Sequence, residues 1–231
     1  MAVSRDEITM FFCGDVMTGR GIDQILPHPS EPWIFEPYLS DARQYAKLAE
    51  KAGGPVIAPV SFDYIWGEAL EELERVNPDL RFINLETAIT KAEKPYPKGI
   101  NYRMHPANVG CLRAARIDGC ALANNHVLDW GIEGLLETLR SLRKAGLKTA
   151  GAGETHAEAF APAVFDLPGK VRILLFSFGT RDSGIPPDWA ASGDTPGVVY
   201  LPRLGATEME IVEKQVRRWK HASDTVVVSI H

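Results

Sequence analysis

The sequence predicts an α/β domain with a substantially parallel sheet, and three observations support this fold class. Short apolar runs alternate along the chain with segments of helical periodicity, which is the order expected of strand–helix–strand units. Most of these runs are continuously apolar, as is typical of strands covered on both faces. Hydrophobic residues make up 45% and charged residues 24% of the 231 residues, and these are ordinary values for one sizeable folded domain.

The predicted strands share a short apolar run bounded by polar or turn-forming residues. In chain order they are Ile8–Cys13, Leu80–Ile83, Cys120–Ala123, Lys148–Ala150, Ala163–Asp166, Val171–Phe178, Gly197–Leu201 and Thr225–Ile230. The fifth and sixth are joined by Leu-Pro-Gly-Lys and therefore predict a hairpin.

The predicted helices have apolar residues on one face, spaced three or four positions apart. They are Ile65–Val76, Gly131–Ala145 and Ala206–Lys220. The longest irregular region, Leu26–Ser40, is rich in proline and aromatic residues. Two interpretations are open for it: a lid or substrate-binding loop, or an ordered surface wrap.

Composition excludes several classes of protein. The net charge of −5 does not indicate a globally basic nucleic-acid binder, and no apolar run approaches the ~20 residues of a membrane-spanning helix. The start, Met1–Glu7, carries charges of both signs and does not resemble a secretory signal. The cysteines, Cys13, Cys111 and Cys120, lie in apolar runs and predict free thiols. We therefore expect a cytoplasmic protein without a nucleic-acid partner, of undecided oligomeric state.

Polar side chains follow four of the predicted strands, at the point where each strand ends. In chain order these are Asp15; Asn84 and Glu86; Asn124, Asn125, His126 and Asp129; and His231. In an open α/β sheet, functional groups gather beyond the carboxyl ends of the strands. Capping or turn formation explains any one cluster, because Asp, Asn and Thr are ordinary cap residues. Capping does not call for His or Glu, so the four clusters together predict a site.

Two chemistries are open for the set Asp15, Glu86, Asn125, His126 and His231. One is a metal site, because carboxylate, amide and imidazole ligands suit Mn, Fe or Zn. The other is metal-free acid–base catalysis, with a carboxylate and an imidazole on opposite sides of a reacting centre. Asp129, three residues after His126, would orient the imidazole if a helix begins there. The alternative for His126 is a purely structural role, as a buried, hydrogen-bonded core histidine.

An anionic or peptide-like substrate is indicated by the basic segment Lys91–Arg103, which follows Glu86 closely in an otherwise acidic protein. Arg20 and Arg103 are the preferred anion-binding residues, because arginine grips a carboxylate or phosphate through two hydrogen bonds. Arg181 lies in another strand-end loop, and we expect it to bind substrate together with Asn84 and Asn124. The alternative for the basic segment is a solvated surface loop.

Three motifs in this chain resemble those of the CapA (PgsA) family, which is named for capsule and poly-γ-glutamate synthesis. The motifs are Gly14-Asp15-Val-Met-Thr-Gly19-Arg20, Asn84-Leu-Glu86-Thr, and Leu122-Ala-Asn124-Asn125-His126-Val-Leu-Asp129-Trp-Gly131. The family is similar to calcineurin-like metallophosphoesterases. The resemblance implies a four-layer α/β/β/α sandwich with the site at the strand ends.

The resemblance also implies roles for individual residues. Asp15 takes the place of the first-strand aspartate, Glu86 that of a bridging aspartate, and Asn125 with His126 that of an Asn–His pair. His231 matches the histidine of the family's next element. The resemblance thus implies Asp15, Glu86, Asn125 and His231 as metal ligands, with Asp15, Glu86, His126, Asp129 and His231 as the catalytic set.

Two departures from the phosphoesterase pattern bear on the metal. Met17 stands where a histidine ligand is usual, and a thioether is a poor ligand for such ions. The family's later His-rich element would lie beyond His231, directly after what is predicted to be an inner strand. We therefore expect residues 1–231 to form one domain that is incomplete at its C-terminal side, with a single weakly held ion or none.

Three functions remain open at the level of the sequence. The first is a hydrolase that uses one divalent ion. The second is a metal-independent peptide Cα-epimerase of natural-product (RiPP or lasso-peptide) maturation, in which a carboxylate and a histidine exchange a proton next to a carbonyl. The third is a non-enzymatic accessory protein for an anionic polymer such as poly-γ-glutamate.

Overall fold

A computed structural model describes residues 7–167, 169 and 171–231. The expectation about the N-terminal segment rests mostly on residues 1–6, and the predicted hairpin turn includes Pro168 and Lys170. These positions lie outside the described residues.

The described chain has twelve strands and seven α-helices. The strands are β1 Met10–Val16, β2 Leu80–Leu85, β3 Ala88–Ile89, β4 Arg103–Met104, β5 Gly119–Ala121, β6 Lys148–Ala150, β7 Ala152–Gly153, β8 Ala163–Asp166, β9 Arg172–Thr180, β10 Gly197–Val198, β11 Tyr200–Leu201 and β12 Thr225–Ile230. The helices are α1 Arg20–Ile25, α2 Arg43–Gly53, α3 Ala69–Val76, α4 Gly110–Ala114, α5 Gly131–Lys144, α6 His156–Phe160 and α7 Ala206–Trp219.

Two four-stranded sheets contain most of the strand residues. The first has the order β1-β2-β5-β6, and every neighbouring pair in it is parallel. In the second, β12 runs parallel to β9 along one edge, while β8 and β11 share the other edge. The antiparallel pairing of β8 with β9 confirms the predicted hairpin, and the parallel first sheet confirms the predicted α/β class.

Alternate residues of the central strands pack on opposite sides, as the two-residue period of a strand requires. Ile173 and Leu175 of β9 belong to an apolar cluster with Phe82 of the first sheet. Leu174, between them, instead belongs to a cluster that contains Val212 of α7. Each such side chain, when fully buried, contributes roughly 2 kcal/mol to folding. Burial on both faces explains why these strands are continuously apolar in sequence.

The first strand differs from its predicted bounds, and the difference positions the site. It spans Met10–Val16 rather than Ile8–Cys13. The register against β2 shifts between Cys13 and Asp15, so that Gly14 is an extra residue in the strand. Such a bulge re-aims the side chain that follows it. Asp15 therefore lies within the strand rather than after it.

Three further predicted elements are also corrected. The expected strand 197–201 is divided at Val199, because the residues before it pair with β7 and those after it pair with β9. The Val199 N–H donates to Gly151 O over 2.8 Å. The expected strand 120–123 ends at Ala121. The expected helix 65–76 is interrupted at Gly67, where φ is 52°; only α3 remains α-helical.

The irregular segment 26–40 contains no helix, and its one strand-like feature is an isolated bridge between Trp33 and Asp41. Cys13, Cys111 and Cys120 are free thiols as predicted, and burial raises the pKa of the Cys111 thiol to about 12. Across the described part of the chain, no helix has the length and apolarity needed to span a membrane.

Candidate functional site

Three of the predicted strand-end residues converge at one place. Ligand atoms of Asp15 in β1, Glu86 directly after β2, and His231 directly after β12 all lie within 4.8 Å of one another. The His231 Nε2 atom is 3.6 Å from Asp15 Oδ1 and 3.7 Å from Glu86 Oε1. Parallel strands present their carboxyl ends at a shared edge, so residues far apart in sequence meet there.

Two buried asparagines are connected to Asp15 by a chain of hydrogen bonds. Asn84 Nδ2 donates to Asp15 Oδ1 over 2.7 Å, and Asn124 Nδ2 donates to Asn84 Oδ1 over 3.0 Å. The Asn124 Oδ1 atom accepts from the N–H groups of His126 and Val127. Asn124 is fully buried and Asn84 is 8% exposed. These hydrogen bonds position Asp15 and the turn that carries His126; binding of substrate by Asn84 and Asn124 stays a prediction.

His126 lies beside this cluster and is held through one ring nitrogen. Its Nδ1 atom is 2.6 Å from Asp129 Oδ2, and its Nε2 atom is 3.7 Å from Glu86 Oε1. The turn from Asn124 to Trp130 precedes α5 and brings Asp129 within hydrogen-bond distance of the imidazole. An Nδ1–H donated to Asp129 leaves Nε2 as a lone pair directed toward Glu86.

Asp129 is fully buried and has a cationic partner that is not predicted from the sequence. Lys98 Nζ lies 2.7 Å from Asp129 Oδ1 and also donates to the carbonyl oxygen of Asn125. The Tyr102 N–H donates to Asp129 Oδ2 over 2.5 Å. A buried carboxylate requires such pairing to be tolerated.

A stack of four side chains runs from α2 to the imidazole, and we call it the aromatic stack: Tyr45, Arg20, Tyr102 and His126. The Arg20 guanidinium carbon lies 5.1 Å from the ring centroid of Tyr45 and 4.5 Å from that of Tyr102. The Tyr102 and His126 centroids are 3.7 Å apart, with the ring planes inclined by 14°. Arg20 also pairs with Glu36, its Nε atom 2.5 Å from Glu36 Oε1.

Burial and like charge shift the pKa values at the centre of the site. The pKa of Glu86 is raised to about 7, chiefly by burial and then by the neighbouring Asp15 carboxylate, while Lys98 and Arg20 oppose the shift. Burial lowers the pKa of His126; Asp129 opposes this, and the charges of Lys98 and Arg20 add to it. Glu86 is thus poised to exchange a proton near neutral pH, a property typical of functional sites.

The donor set fits one divalent cation. Asp15, Glu86 and His231 offer two carboxylates and an imidazole, which suit Mn, Fe or Zn. The Asn125 Oδ1 atom is buried without a hydrogen-bond partner in the described structure. Within the residues that the structure describes, this is the one group of three or more such side chains close enough to share an ion. Met17 instead lines a largely apolar cavity with Ile22 and Tyr45.

Arg103 and Arg181 were the other predicted anion-binding residues. Arg103 donates to the carbonyl oxygens of Ala92 and Glu31, and its guanidinium carbon lies 4.0 Å from the Trp130 ring centroid. These contacts hold the loops around the site together. Arg181 is exposed in the turn after β9. This turn approaches Asn125, because a Cβ added at Gly184, which ends the turn, would lie 3.5 Å from Asn125 Nδ2. Arg181 therefore belongs to the rim of the site.

Four residues of the site are not predicted from the sequence: Lys98, Tyr102, Glu36 and Tyr45. Lys98 and Tyr102 lie in the basic segment 91–103, which is predicted to flank the site, but arginine is preferred to lysine there. Glu36 lies in the irregular segment 26–40, where nothing in the local pattern distinguishes it from a surface glutamate. Only the ion pair with Arg20 reveals it.

The chain is similar in sequence to a bacterial protein family and to several of its members. A family model described as bacterial capsule synthesis protein PGA_cap matches residues 9–231. A probable polyglutamine synthesis accessory protein of Mycobacterium tuberculosis is 42% identical over 233 residues, covering 100% of this chain and 61% of that protein. The PGA biosynthesis protein CapA of Bacillus subtilis is 27% identical, covering 99% of this chain and 50% of that protein. The capsule biosynthesis protein CapA of Bacillus anthracis is 23% identical, covering 98% and 46%. The chain thus spans about half to three fifths of the length of these relatives.

Proposed function

The chain belongs to the PGA_cap family of bacterial capsule synthesis proteins, and from that premise we propose that it acts in capsule or polyglutamate synthesis as a hydrolase of an anionic, peptide-like polymer. The ligand we favour is a chain of glutamate residues such as poly-γ-glutamate. The names of the relatives support the polymer, and the geometry of the site supports the reaction.

One observation carries the hydrolytic proposal: ligand atoms of Asp15, Glu86 and His231 lie within 4.8 Å of one another. The imidazole of His126 lies beside them and is not a member of this group. Two carboxylates at this distance repel each other, and the raised pKa of Glu86 reflects this repulsion together with its burial. A divalent cation would relieve the repulsion. The chemistry that a cation held there would supply is a lowered pKa of bound water, enough to provide a nucleophile at neutral pH.

The chain's own residues have distinct roles in this proposal. Asp15, Glu86 and His231 would hold the cation, and the unpartnered Asn125 Oδ1 atom would serve as a further oxygen donor. Asn84 fixes the Asp15 carboxylate through its 2.7 Å hydrogen bond. His126 holds or moves a proton at Nε2, while Asp129 and Lys98 keep its ring in place. Lowering of the His126 pKa by burial makes Nε2 a proton acceptor in the resting site.

Positive charge beside the centre would hold the acidic polymer. Arg20 and Lys98 lie around His126, and each contributes to the electrostatic field at Glu86. Arg181 extends this charge to the exposed rim after β9. Carboxylates of a glutamate chain would pair with Arg20 and Arg181 and align its backbone amides across the cluster, while Lys98 stays paired with Asp129.

The test uses the 231-residue chain with poly-γ-glutamate, with each divalent ion in turn and with a chelator. New amine ends should form with Mn, Zn or Fe and disappear on chelation. Asp15→Asn should abolish cleavage, whereas the matched change Glu210→Gln on the exposed face of α7 should not affect it. Full cleavage in a rigorously metal-free preparation would contradict the use of a cation.

A second candidate is metal-free proton transfer at a Cα next to a carbonyl, the reaction of an epimerase. The pKa of Glu86, about 7 without any cation, favours it, because a carboxyl group poised at neutral pH both accepts and donates protons. Deuterium uptake at Cα positions of candidate peptides in D2O, with chelator present and no cleavage, would support it. Absence of deuterium at every Cα would exclude it.

A third candidate is a non-enzymatic accessory role, which the name of the Mycobacterium tuberculosis relative favours. In that case the polymer binds but is not changed. Binding would then survive Asp15→Asn and His126→Gln and be weakened by Arg20→Gln. Cleavage or deuterium uptake by the unaltered chain would exclude a purely accessory role.

We also propose that residues 1–231 form one domain of the four-layer, metallophosphoesterase type. The apolar cluster shared by Phe82 and Ile173 supports the contact between the two sheets. Packing of Leu135 in α5 with Ile83 of β2, and of Val212 in α7 with Leu174 of β9, supports helical outer layers. An experimental structure of the chain would test this layer order directly.

A further inference from the structure

The segment 26–40 sends one carboxylate into the protein interior. The Glu36 side chain is completely buried, and its Oε1 atom lies 2.5 Å from Arg20 Nε. Its other oxygen accepts a hydrogen bond from the Tyr45 hydroxyl. Burying a carboxylate is unfavourable unless it is paired and hydrogen-bonded. Arg20 and Tyr45 together therefore form a receptor for a carboxylate group.

Groups other than Glu36 also contact the receptor arginine. The rings of Tyr45 and Tyr102 lie on either side of the Arg20 guanidinium and orient it. The backbone of Arg20 has φ of 51°, a left-handed conformation that residues other than glycine rarely adopt. Such conformations persist where the surrounding structure holds them, and they cluster at ligand-binding sites.

The receptor lies next to the reacting groups. Tyr102 stacks on His126 at 3.7 Å, and the charge of Arg20 lowers the pKa of both Glu86 and His126. A ligand carboxylate paired with Arg20 would thus lie one aromatic ring away from the imidazole. That separation suits a polymer that carries a carboxylate on every repeating unit.

The segment 26–40 also covers a second arginine. A cavity of about 10 Å³ beneath it is lined by Arg20, Arg103, Ser30 and Trp33 among others, and Arg103 Nη2 donates to the carbonyl oxygen of Glu31 in the same segment. The outer side of the segment exposes aromatic rings, with Trp33 61% and Tyr38 71% exposed. Glu36 is therefore the inward, acidic residue of a segment that lies over basic groups.

We propose that Glu36 occupies the subsite for a free carboxylate of the acidic polymer, which in a γ-linked glutamate chain is the α-carboxylate of each unit, so that residues 26–40 must move aside for the polymer to bind. The inference rests on the proposed function for the identity of the ligand. Glu36 presents the same chemical group, a carboxylate, and it competes from within the same chain at high effective concentration. The polymer binds only to molecules in which Glu36 has left Arg20. Its apparent dissociation constant is therefore the intrinsic constant divided by the fraction of such molecules.

The experiment measures binding of a fluorescently labelled, short γ-linked glutamate oligomer to the 231-residue chain by fluorescence anisotropy. Glu36→Gln removes the competing charge and keeps an oxygen for Tyr45, so the oligomer should bind more tightly by about threefold or more. The matched control is Glu31→Gln, which removes the same charge from the same segment but leaves the Arg20 pair intact. It should bind like the unaltered chain. Arg20→Gln should weaken binding of the oligomer both in the unaltered chain and in the Glu36→Gln variant.

Equal or weaker binding by Glu36→Gln would overturn the inference, as would an equal gain in Glu31→Gln. Should Glu36→Gln fold poorly, Glu36→Ala in the presence of propionate replaces it. Propionate, and not propionamide, should raise the thermal midpoint of that variant, and this rescue should vanish when Arg20 is also changed to Gln. Lack of rescue would overturn the inference.

Failure of the two proposals can be told apart. Cleavage of poly-γ-glutamate with no effect of Glu36→Gln on binding contradicts the subsite alone. Tighter binding by Glu36→Gln without cleavage contradicts the hydrolase alone. If neither the unaltered chain nor Glu36→Gln binds the oligomer, both proposals are wrong.

Discussion

The ring of Tyr102 stacks on the imidazole of His126, with their centroids 3.7 Å apart and their planes inclined by 14°. The other face of Tyr102 meets the Arg20 guanidinium, so one tyrosine links the anion-binding group to the acid–base group. We expect Tyr102→Leu to lower the free energy of unfolding by about 2 kcal/mol, because ring contacts on both faces are lost. Chemical denaturation measures this change.

Tyr102→Phe is the matched control for the stack, because it keeps the ring and removes only the hydroxyl. Its effect on stability should stay below about 0.5 kcal/mol. The proton resonances of the His126 ring provide a second measurement. They should move downfield in Tyr102→Leu, where the ring current is lost, and stay in place in Tyr102→Phe. Unchanged resonances in Tyr102→Leu would contradict the stack.

Glu86 predicts a pH dependence of stability. Its pKa is 4.5 ordinarily and about 7 in the folded chain, so the folded state favours the protonated form. The contribution of Glu86 is intact below pH 4.5 and is lost as pH rises through 7, with a total loss of about 3 kcal/mol at most. Glu86→Gln cannot ionise. We therefore expect it to be more stable than the unaltered chain at pH 8 and similar at pH 4.5.

Urea denaturation at several pH values tests this expectation. The exposed Glu210→Gln should leave the pH dependence as it is in the unaltered chain. A constant difference between Glu86→Gln and the unaltered chain across the whole range would show that Glu86 does not titrate in this interval.

The Lys98–Asp129 pair should contribute more to stability than an exposed ion pair. The side chains of Lys98 and Asp129 are 17% and 0% exposed, and Lys98→Met leaves Asp129 buried without its cation. We expect the free energy of unfolding to fall by about 3 kcal/mol. In the pair Arg217–Glu213, with side chains 77% and 58% exposed, Arg217→Met should change it by less than about 0.5 kcal/mol. Equal effects of the two substitutions would contradict the structural role of Lys98.

Cation binding should depend on pH in the opposite sense to proton binding. Below pH 7 Glu86 is increasingly protonated, and a protonated carboxyl is a poor ligand. Mn²⁺ should therefore raise the thermal midpoint at pH 8 and have little effect at pH 5. At a hundred times its dissociation constant the ion would add about 3 kcal/mol.

His231→Gln and Asp15→Asn each remove one donor from the proposed cation site, and both should weaken the response to Mn²⁺. A chelator should reverse the response in the unaltered chain. A shift of equal size in the unaltered chain and in both variants would mean that the ion binds elsewhere.

Local patterns determine much of this fold. Strands 163–166 and 225–230 have the predicted bounds, because largely apolar runs between turn residues carry their own signal. Strand 148–150, Lys-Thr-Ala, also has its predicted bounds. The helices α1, α4 and α6 are not predicted, because five or six residues are too few to show an apolar stripe. The helix α2 is also not predicted; it is amphipathic but buries no residue. The break at Gly67 depends on its φ of 52°, which composition does not reveal.

The sequence by itself determined the α/β class and the polar residues that follow its strands, because strand periodicity and residue chemistry are local properties of the chain. Only the tertiary structure decided which of those residues meet. It joined Asp15, Glu86 and His231 within 4.8 Å and placed Asn84 and Asn124 beneath them. It also brought Glu36 to Arg20 and Lys98 to Asp129. These contacts link distant parts of the chain or cross an irregular segment, so they arise from sheet register and packing rather than from any local pattern.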